Sequence, residues 1–483
     1  MRLSTKIAYN TIAQIIGKAL ATILGLVAVV IMARYLGRQG FGAYTTIITF
    51  LSFFGILADL GLTLVAVQMI TRPGADEKKV LDNLFSFRLF SALLFLALAP
   101  AVALLFPYSH EIKIGILLTA VSFLFVALNQ ILVAVFQKNL RLDKVSIAEV
   151  SGRIVLVSGV AVATFLDKGL LVMMLAIVAG SAVNFFLHFL FSRRFVKISL
   201  AFDWPIWREA VLLSWPLAIT TIFNLLYLKT DILILSALKS QGDVGLYGAA
   251  YKVIEVVTMI PFMLSGIILP ILSAAWLSGQ NEYFKKVLQK SLNLMIFLAV
   301  PFVVGAQILS QPVIAAVGGP DFFAAGKILQ LLSIAAGLVF LSCLLSHAAV
   351  AAGKQKEIIG AYFFTAITSL VGYFVFIPRY SYFGAAAVTI YSEAIITIFM
   401  LYYIWRFTAF RPRWRIFWQS LGASLVMAGF LFVLPQSWLY NWLGLSAVLL
   451  VAIIIYFVFL YILGGLTKKD LNDLLNRPEK INK

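Results

Sequence analysis

The chain has 483 residues, of which 62% are hydrophobic and 12% are charged, and its mean hydropathy is +1.00. This balance excludes a water-soluble globular protein, because long apolar runs of this kind are typical of membrane-spanning helices. The net charge of +18 is attributed to basic cytoplasmic loops and not to a nucleic-acid surface. The single cysteine, Cys343, lies in an apolar run, so we expect a buried thiol and no disulfide framework.

The apolar segments predict an all-α polytopic membrane protein with about fourteen transmembrane helices. Each segment is long enough to cross a hydrocarbon core of about 30 Å, which takes about 20 residues of helix. The longest connection, Ser192 to Trp207, is too short to hold a folded domain. The predicted spans are 9–33, 41–71, 84–106, 112–137, 146–166, 170–191, 208–238, 244–277, 287–310, 324–352, 357–377, 383–405, 414–434 and 442–466.

The basic residues predict the orientation of these spans. A cytoplasmic N-terminus assigns 26 of the 38 Lys and Arg residues to cytoplasmic segments and 7 to external ones, and the rest lie within spans. Cytoplasmic loops carry the excess of Lys and Arg in membrane proteins. We therefore predict that both termini are cytoplasmic.

A short motif indicates an internal repeat. Gly245-Leu246-Tyr247 repeats Gly42-Ala43-Tyr44 of 203 residues earlier, and each copy begins a long apolar helix after a polar turn. Six predicted helices separate the two copies. This predicts that spans one to six and seven to twelve are related by a pseudo-twofold axis.

Ten ionisable residues lie within the predicted spans. A charged side chain costs about 3 kcal/mol at a helix centre on insertion scales, so such residues usually face a cavity or a partner. Most of them fall in spans one to eight, which indicates a substrate with a charged head and a long apolar tail. The basic residues are Lys18, Arg88, Arg153, Lys229 and Lys252, and the acidic ones are Asp59, Glu149, Asp231, Glu255 and Glu393.

Their spacing predicts pairs and a common depth. Glu149 and Arg153 are four residues apart on one helix face, and we predict a structural pair there. Asp231 and Lys252 each lie eight residues from the same external turn, roughly 12 Å at 1.5 Å per residue. Structural ion pairs that hold helices together, and a snorkelling Arg88, are the alternatives to a substrate site.

Other chemistry is not indicated. The three histidines are too scattered for a metal site, and no nucleotide-binding loop or paired-carboxylate domain occurs. We therefore predict a protein that is not an enzyme and that uses no cofactor or metal.

Several motifs together resemble a known family, the polysaccharide-transporter family of the multidrug/oligosaccharidyl-lipid/polysaccharide (MOP) exporter superfamily, which includes the O-antigen-type flippases. The resemblance spans nearly the whole chain, including its fourteen predicted spans. It rests on Leu36-Gly37 with Gly40-Phe41-Gly42-Ala43-Tyr44, Asp231 with Val244-Gly245-Leu246-Tyr247, Ala325 to Leu332 after Gly318-Gly319, Ile377-Pro378 with Tyr382-Phe383-Gly384-Ala385-Ala386, and Glu393.

The resemblance implies a function and a domain organisation. It implies export of undecaprenyl-pyrophosphate-linked oligosaccharide from the inner to the outer leaflet of the cytoplasmic membrane by alternating access. Two six-helix lobes, 1–200 and 201–408, would surround a central cavity and be followed by two further helices in 409–466 and a cytoplasmic tail, 467–483. The expected partners are the lipid-linked oligosaccharide, membrane lipid and other polysaccharide-assembly proteins, with no nucleic acid and a monomeric chain.

The resemblance also assigns roles to the intramembrane charges. Cations of the cavity are expected to hold the pyrophosphate and sugars, and acids are expected to couple an ion. The substrate-binding candidates are Lys18, Arg88, Arg153, Lys229 and Lys252, and the ion-coupling candidates are Asp59, Asp231, Glu255 and Glu393. The alternatives are an ion-coupled drug or cation antiporter of the same superfamily and a non-transporting scaffold for envelope assembly. The antiporters usually have twelve spans and an acidic cavity, and a scaffold gains little from ten intramembrane charges.

Overall fold

The computed structural model describes residues 3–59, 61–72, 74 and 76–465, without the side chains of 3–9, 11, 64, 216–228 and 436. The predicted tail, 467–483, lies outside the described residues. The chain divides into two compact units, Met1–Gly248 and Ala249–Lys483. The lobe boundaries predicted above rest on the repeat and stay a prediction.

The described residues form helices joined by short turns. The first unit holds α1 (Leu3–Asp59), α2 (Leu62–Ile70), α3 (Glu77–Ala103), α4 (His110–Lys138), α5 (Leu142–Phe165), α6 (Gly169–Ser192), α7 (Trp204–Leu238) and the first turns of α8 (Gln241–Leu277). The second unit holds the rest of α8, then α9 (Asn281–Gly318), a 3₁₀ turn (Pro320–Phe322), α10 (Ala325–Ala351), α11 (Gln355–Thr408), α12 (Arg415–Val433), α13 (Gln436–Leu439) and α14 (Trp442–Ile462).

Two of the longest helices contain a backbone break that separates two predicted spans. In α1 the break is at Gly37, whose φ of 61° is a left-handed conformation that glycine adopts without a steric penalty. In α11 it is at Ser381, with φ 50° and ψ −132°. Each of the fourteen predicted spans therefore overlaps a described helix, and eleven helices of the described residues are long and apolar enough to cross a membrane. The all-α polytopic fold predicted from the sequence is confirmed.

The second predicted span, 41–71, is not continuous. Helix α1 ends at Asp59, Gly61 has φ 76°, and α2 begins at Leu62. A break at this depth frees backbone carbonyls of the preceding turn, which lipid cannot satisfy. Other side chains of the first unit must therefore reach into the break.

Described helices of each unit pack an apolar cluster. In the first unit, Leu62 and Met69 of α2 are buried with Leu84 of α3 and Ile131 of α4. In the second unit, the C-terminal helices pack on α9, where the hydroxyl of Tyr456 on α14 donates to the carbonyl of Phe297 at 2.8 Å. That bond satisfies a polar hydroxyl within an apolar helix pair, so α14 is fixed in its rotation against α9.

Candidate functional site

The two copies of the glycine motif contact each other within the first unit. A Cβ on Gly42 would overlap the carbonyl oxygen of Gln241, and a Cβ on Gly245 would overlap the carbonyl oxygen of Arg38. Both pairs of equivalent residues, 38 with 241 and 42 with 245, are 203 positions apart. The contact is therefore self-complementary, as at a twofold axis, and its close backbone approach allows only glycine at both positions.

A side-chain hydrogen bond also joins the two helices at this crossing. The hydroxyl of Thr46 on α1 donates to Oε1 of Gln241 at 2.8 Å. Thr45 lies against Gly248, another pair at the 203-residue offset. In the predicted orientation this crossing is at the external ends of spans two and eight.

Asp231 of α7 contacts the motif at this crossing through Tyr247 and is fully buried in the first unit. Its Oδ2 accepts a hydrogen bond from the hydroxyl of Tyr247 at 2.6 Å, so the repeated tyrosine of the second motif copy binds the carboxylate. Its Oδ1 accepts from the backbone amide of Ile232 at 2.7 Å. Lys229, two residues earlier on α7, is half-buried.

Lys252 and Glu255 form an ion pair of 2.8 Å on α8, as their three-residue spacing allows. The two side chains are 25% and 30% exposed, in contrast to the fully buried Asp231. The two side chains are thus partly exposed, and each neutralises part of the charge of the other on an otherwise apolar helix.

Arg88 and Asp59 meet across the break between α1 and α2. The guanidinium of Arg88 is fully buried and lies 2.5 Å from the carboxylate of Asp59, which is 22% exposed. It also donates to the carbonyl of Ala58 at 3.1 Å, in the last turn of α1, and to the carbonyl of Ala127 on α4 at 3.0 Å. Arg88 therefore satisfies a carbonyl in the last turn of α1, where the break interrupts the helical hydrogen bonds.

Two further side chains complete this network. Gln130 accepts from Arg88 through Oε1, and the hydroxyl of Thr63 donates to Asp59 at 2.6 Å. Both charged residues are evident in the sequence, but their pairing is not. Counting residues from the predicted turn at 72–76 could have paired them, because Asp59 precedes that turn by about as many residues as Arg88 follows it.

Lys18 and Arg153 lie on two closely packed helices, α1 and α5, and both side chains are exposed. The predicted ion pair between Arg153 and the half-buried Glu149 is not formed within 4.0 Å in the described part of the chain. Instead, the guanidinium of Arg153 lies beside Gly25 of α1, where a Cβ would be 3.6 Å from Nη1. Arg153 therefore contacts α1 at this point instead of pairing with Glu149 on its own helix.

Glu393 is the buried acid of the second unit, with an exposure of 2%. Its Oε2 accepts from the hydroxyl of Ser342 on α10 at 3.3 Å. Its Oε1 has no hydrogen-bond partner in the described structure. Glu393 is evident in the sequence as an intramembrane acid, but Ser342 is not, because the rotation of α10 that brings the two together is set by packing.

The fold and these charges define a polytopic membrane protein whose apolar helices carry buried and partly buried ionisable groups. A family model described as polysaccharide biosynthesis protein matches residues 7–276, more than half of the chain. The chain therefore belongs to the polysaccharide biosynthesis protein family. This confirms the resemblance drawn from the sequence.

Individual relatives and structures agree with this assignment. The chain is 23% identical over 440 residues to the probable low-salt glycan biosynthesis flippase Agl15 of Haloferax volcanii, covering 88% of this chain and 89% of that protein. It is 23% identical over 307 residues to a putative O-antigen transporter of Shigella flexneri, covering 61% of this chain and 72% of that protein. It shares the fold of the lipid II flippase MurJ in an inward closed conformation, with a TM-score of 0.76, 18% identity and coverage of 95% of this chain and 99% of that one.

Proposed function

We propose that this protein is a flippase that moves a lipid-linked oligosaccharide across the membrane. The proposed carrier is undecaprenyl pyrophosphate, and the proposed direction is from the inner to the outer leaflet of the cytoplasmic membrane by alternating access. The family and the names of the two relatives, one a flippase and one a transporter, support this proposal. None of them is named as an enzyme, which agrees with the lack of catalytic motifs in the sequence.

The observation that carries the proposal is a set of accessible cations on apolar helices. Lys18 and Arg153 are exposed on α1 and α5, and Lys252 is partly exposed on α8. A pyrophosphate brings about two negative charges into a space of low dielectric constant, where fixed cations attract it far more strongly than in water. A carrier with a purely apolar or cationic cargo would gain nothing from these residues.

The acidic partner of Lys252 sets an upper limit to the affinity. Glu255 lies 2.8 Å from the Lys252 ammonium and neutralises part of its charge. A substrate that must leave on the other side of the membrane requires such moderate binding. We propose that Lys18 and Arg153 receive the head group and that Lys229 and Lys252 hold it closer to the external side.

The remaining predicted roles follow from the same contacts. Arg88 stays a prediction as a head-group ligand, and its burial against Asp59 favours a structural role in this conformation. Asp59 and Glu255 are each bound to a cation, and Asp231 accepts the hydroxyl of Tyr247, so ion coupling at these three acids also stays a prediction.

Placement in the cell is part of the proposal. We place both termini in the cytoplasm, with six-helix lobes 1–200 and 201–408 and two further helices within 409–466. The chain acts as a monomer beside other polysaccharide-assembly proteins. The repeat contact between Gly42 and Gly245 supports a pseudo-twofold relation of the two lobes.

The first test is genetic. Deletion of the gene should cause lipid-linked glycan to accumulate on the cytoplasmic side, and the wild-type gene should restore export. Lys18→Ala and Lys252→Ala should each reach normal membrane levels but lose export, while Lys→Arg at either site retains part of it. If lipid-linked glycan does not accumulate in the deletion strain, the proposed function is contradicted.

A matched control is available at the start of α11. Lys354 and Glu357 have the same three-residue spacing and a distance of 3.1 Å, but they are 38% and 41% exposed near the helix end. Lys354→Ala should leave export unchanged. Normal export from the Lys18→Ala, Lys252→Ala double variant would contradict the proposed head-group site.

A further inference from the structure

Glu393 is buried without a compensating charge. Its side chain is 2% exposed. One carboxyl oxygen accepts a single hydrogen bond from the hydroxyl of Ser342, and the other has no hydrogen-bond partner in the described structure. No ion pair of the described residues includes it. By contrast, Asp59 and Glu255 each have a basic partner within 3 Å.

These surroundings decide which cation the site can hold. An ionised carboxylate in an apolar interior costs several kcal/mol unless it is paired and hydrogen-bonded. A hard metal cation requires several oxygen ligands around it, and the described residues supply one hydroxyl beside this carboxyl. A proton requires only the carboxyl itself.

We propose that Glu393 is a proton-binding site of the second unit and that its proton is the ion coupled to transport. The coupling part rests on the proposed flippase function, whereas proton binding itself does not.

Two further hydroxyl groups lie one helical turn from this site. Ser342 and Ser346 are one helical turn apart on α10, and Ser346 donates to the carbonyl of Ser342 at 2.7 Å. The hydroxyl of Ser346 lies 2.7 Å from that of Tyr362, which is half-buried near the start of α11. The bond between the two serines ends on a backbone carbonyl, so these hydroxyls lie near Glu393 without forming an unbroken proton path to it.

The other groups near Glu393 leave the site without a fixed charge. Cys343 on α10 interacts electrostatically with Glu393, as does Tyr362 on α11, and both are neutral in their ordinary forms. The thiol of Cys343 lies 3.6 Å from the hydroxyl of Ser265 on α8, and His347 binds the carbonyl of Cys343 through Nδ1 at 2.8 Å. Protonation of Glu393 therefore changes the charge of this cluster.

Proton binding is tested by infrared difference spectroscopy of the purified protein between acidic and alkaline pH. We expect a carbonyl band of a protonated carboxylic acid that is lost in Glu393→Gln and retained in Glu357→Gln, an exposed carboxylate on the same helix. Ser342→Ala should shift this band, because it removes the one hydrogen bond to Oε2, and it serves as the second variant if Glu393→Gln fails to fold. A band that persists in Glu393→Gln, or one that Ser342→Ala leaves unshifted, would overturn the assignment.

Coupling is tested in liposomes with a synthetic polyprenyl pyrophosphate as the probe. Wild-type protein should flip the probe faster under a pH gradient and should not respond to a sodium gradient, and Glu393→Gln should lose the response to the pH gradient. A sodium response in place of the pH response, or a full pH response in Glu393→Gln, contradicts the proposal. If the probe does not flip at all while the infrared band depends on Glu393, the flippase function fails and the proton site stands.

Discussion

Replacement of Arg88 by methionine should destabilise the protein strongly. Methionine has a similar length but leaves the Asp59 carboxylate without its cation and the carbonyl of Ala58 without a donor. Removing one partner of a buried ion pair costs about 3–5 kcal/mol. Because the Asp59 side chain is 22% exposed, water can solvate part of its charge, and we expect about 3 kcal/mol, at the lower end of this range.

The structural role is separated from a substrate role by a double-mutant cycle. Asp59→Asn alone should destabilise the protein as well, because it leaves the buried guanidinium unpaired. The Arg88→Met, Asp59→Asn double variant should be more stable than the sum of the two single effects predicts, since contacting residues couple by about 0.5–3 kcal/mol. Lys354→Met is the control, because it breaks an exposed pair worth about 1 kcal/mol or less.

The assay is thermal unfolding of the purified protein in detergent, followed by intrinsic fluorescence and by the loss of monodisperse protein after heating. If Arg88→Met unfolds at the wild-type temperature but loses glycan export, the structural account is refuted and Arg88 returns to the head-group ligands. Purely additive effects in the cycle would also contradict the direct contact between Arg88 and Asp59.

Two further predictions concern the repeat and the orientation. Gly245→Ala should separate α8 from α1 and reduce both stability and export, whereas Gly360→Ala, at a helical glycine with open space around it, should be tolerated; equal behaviour of the two variants would contradict the tight crossing. Single cysteines at Lys239 and Lys327, in a Cys343→Ala background, should be labelled by an impermeant reagent from outside the cell. Labelling only from the cytoplasmic side would reverse the predicted topology.

The sequence was sufficient for the all-α polytopic fold and for the approximate position of its apolar helices. The bilayer fixes how long an apolar helix must be, so hydropathy and turn residues locate each span without knowledge of packing. The repeat was visible because its contact tolerates only glycine at Gly42 and Gly245, and a steric requirement of this kind is retained in both copies.

The site was less predictable because helix rotation and long-range pairing are not encoded in local spacing. Asp59 and Arg88 belong to different helices, so no i,i+4 rule could pair them, while Glu149 and Arg153 satisfy that rule and still do not meet within 4.0 Å. The interruption of the second span at Gly61 is equally hidden, because one glycine in an apolar run is common in membrane helices.

The central claim is that a charged head group crosses the membrane with the help of cations held within this protein. Its most direct test is the transbilayer movement of a fluorescent polyprenyl-pyrophosphate-linked glycan in liposomes that contain only the purified protein. We expect wild-type protein and Lys354→Ala to flip the lipid well above the rate in empty liposomes, and the Lys18→Ala, Lys252→Ala double variant to lose this activity. Flipping by the double variant at the wild-type rate, or no flipping above empty liposomes by the wild-type protein, would contradict the account.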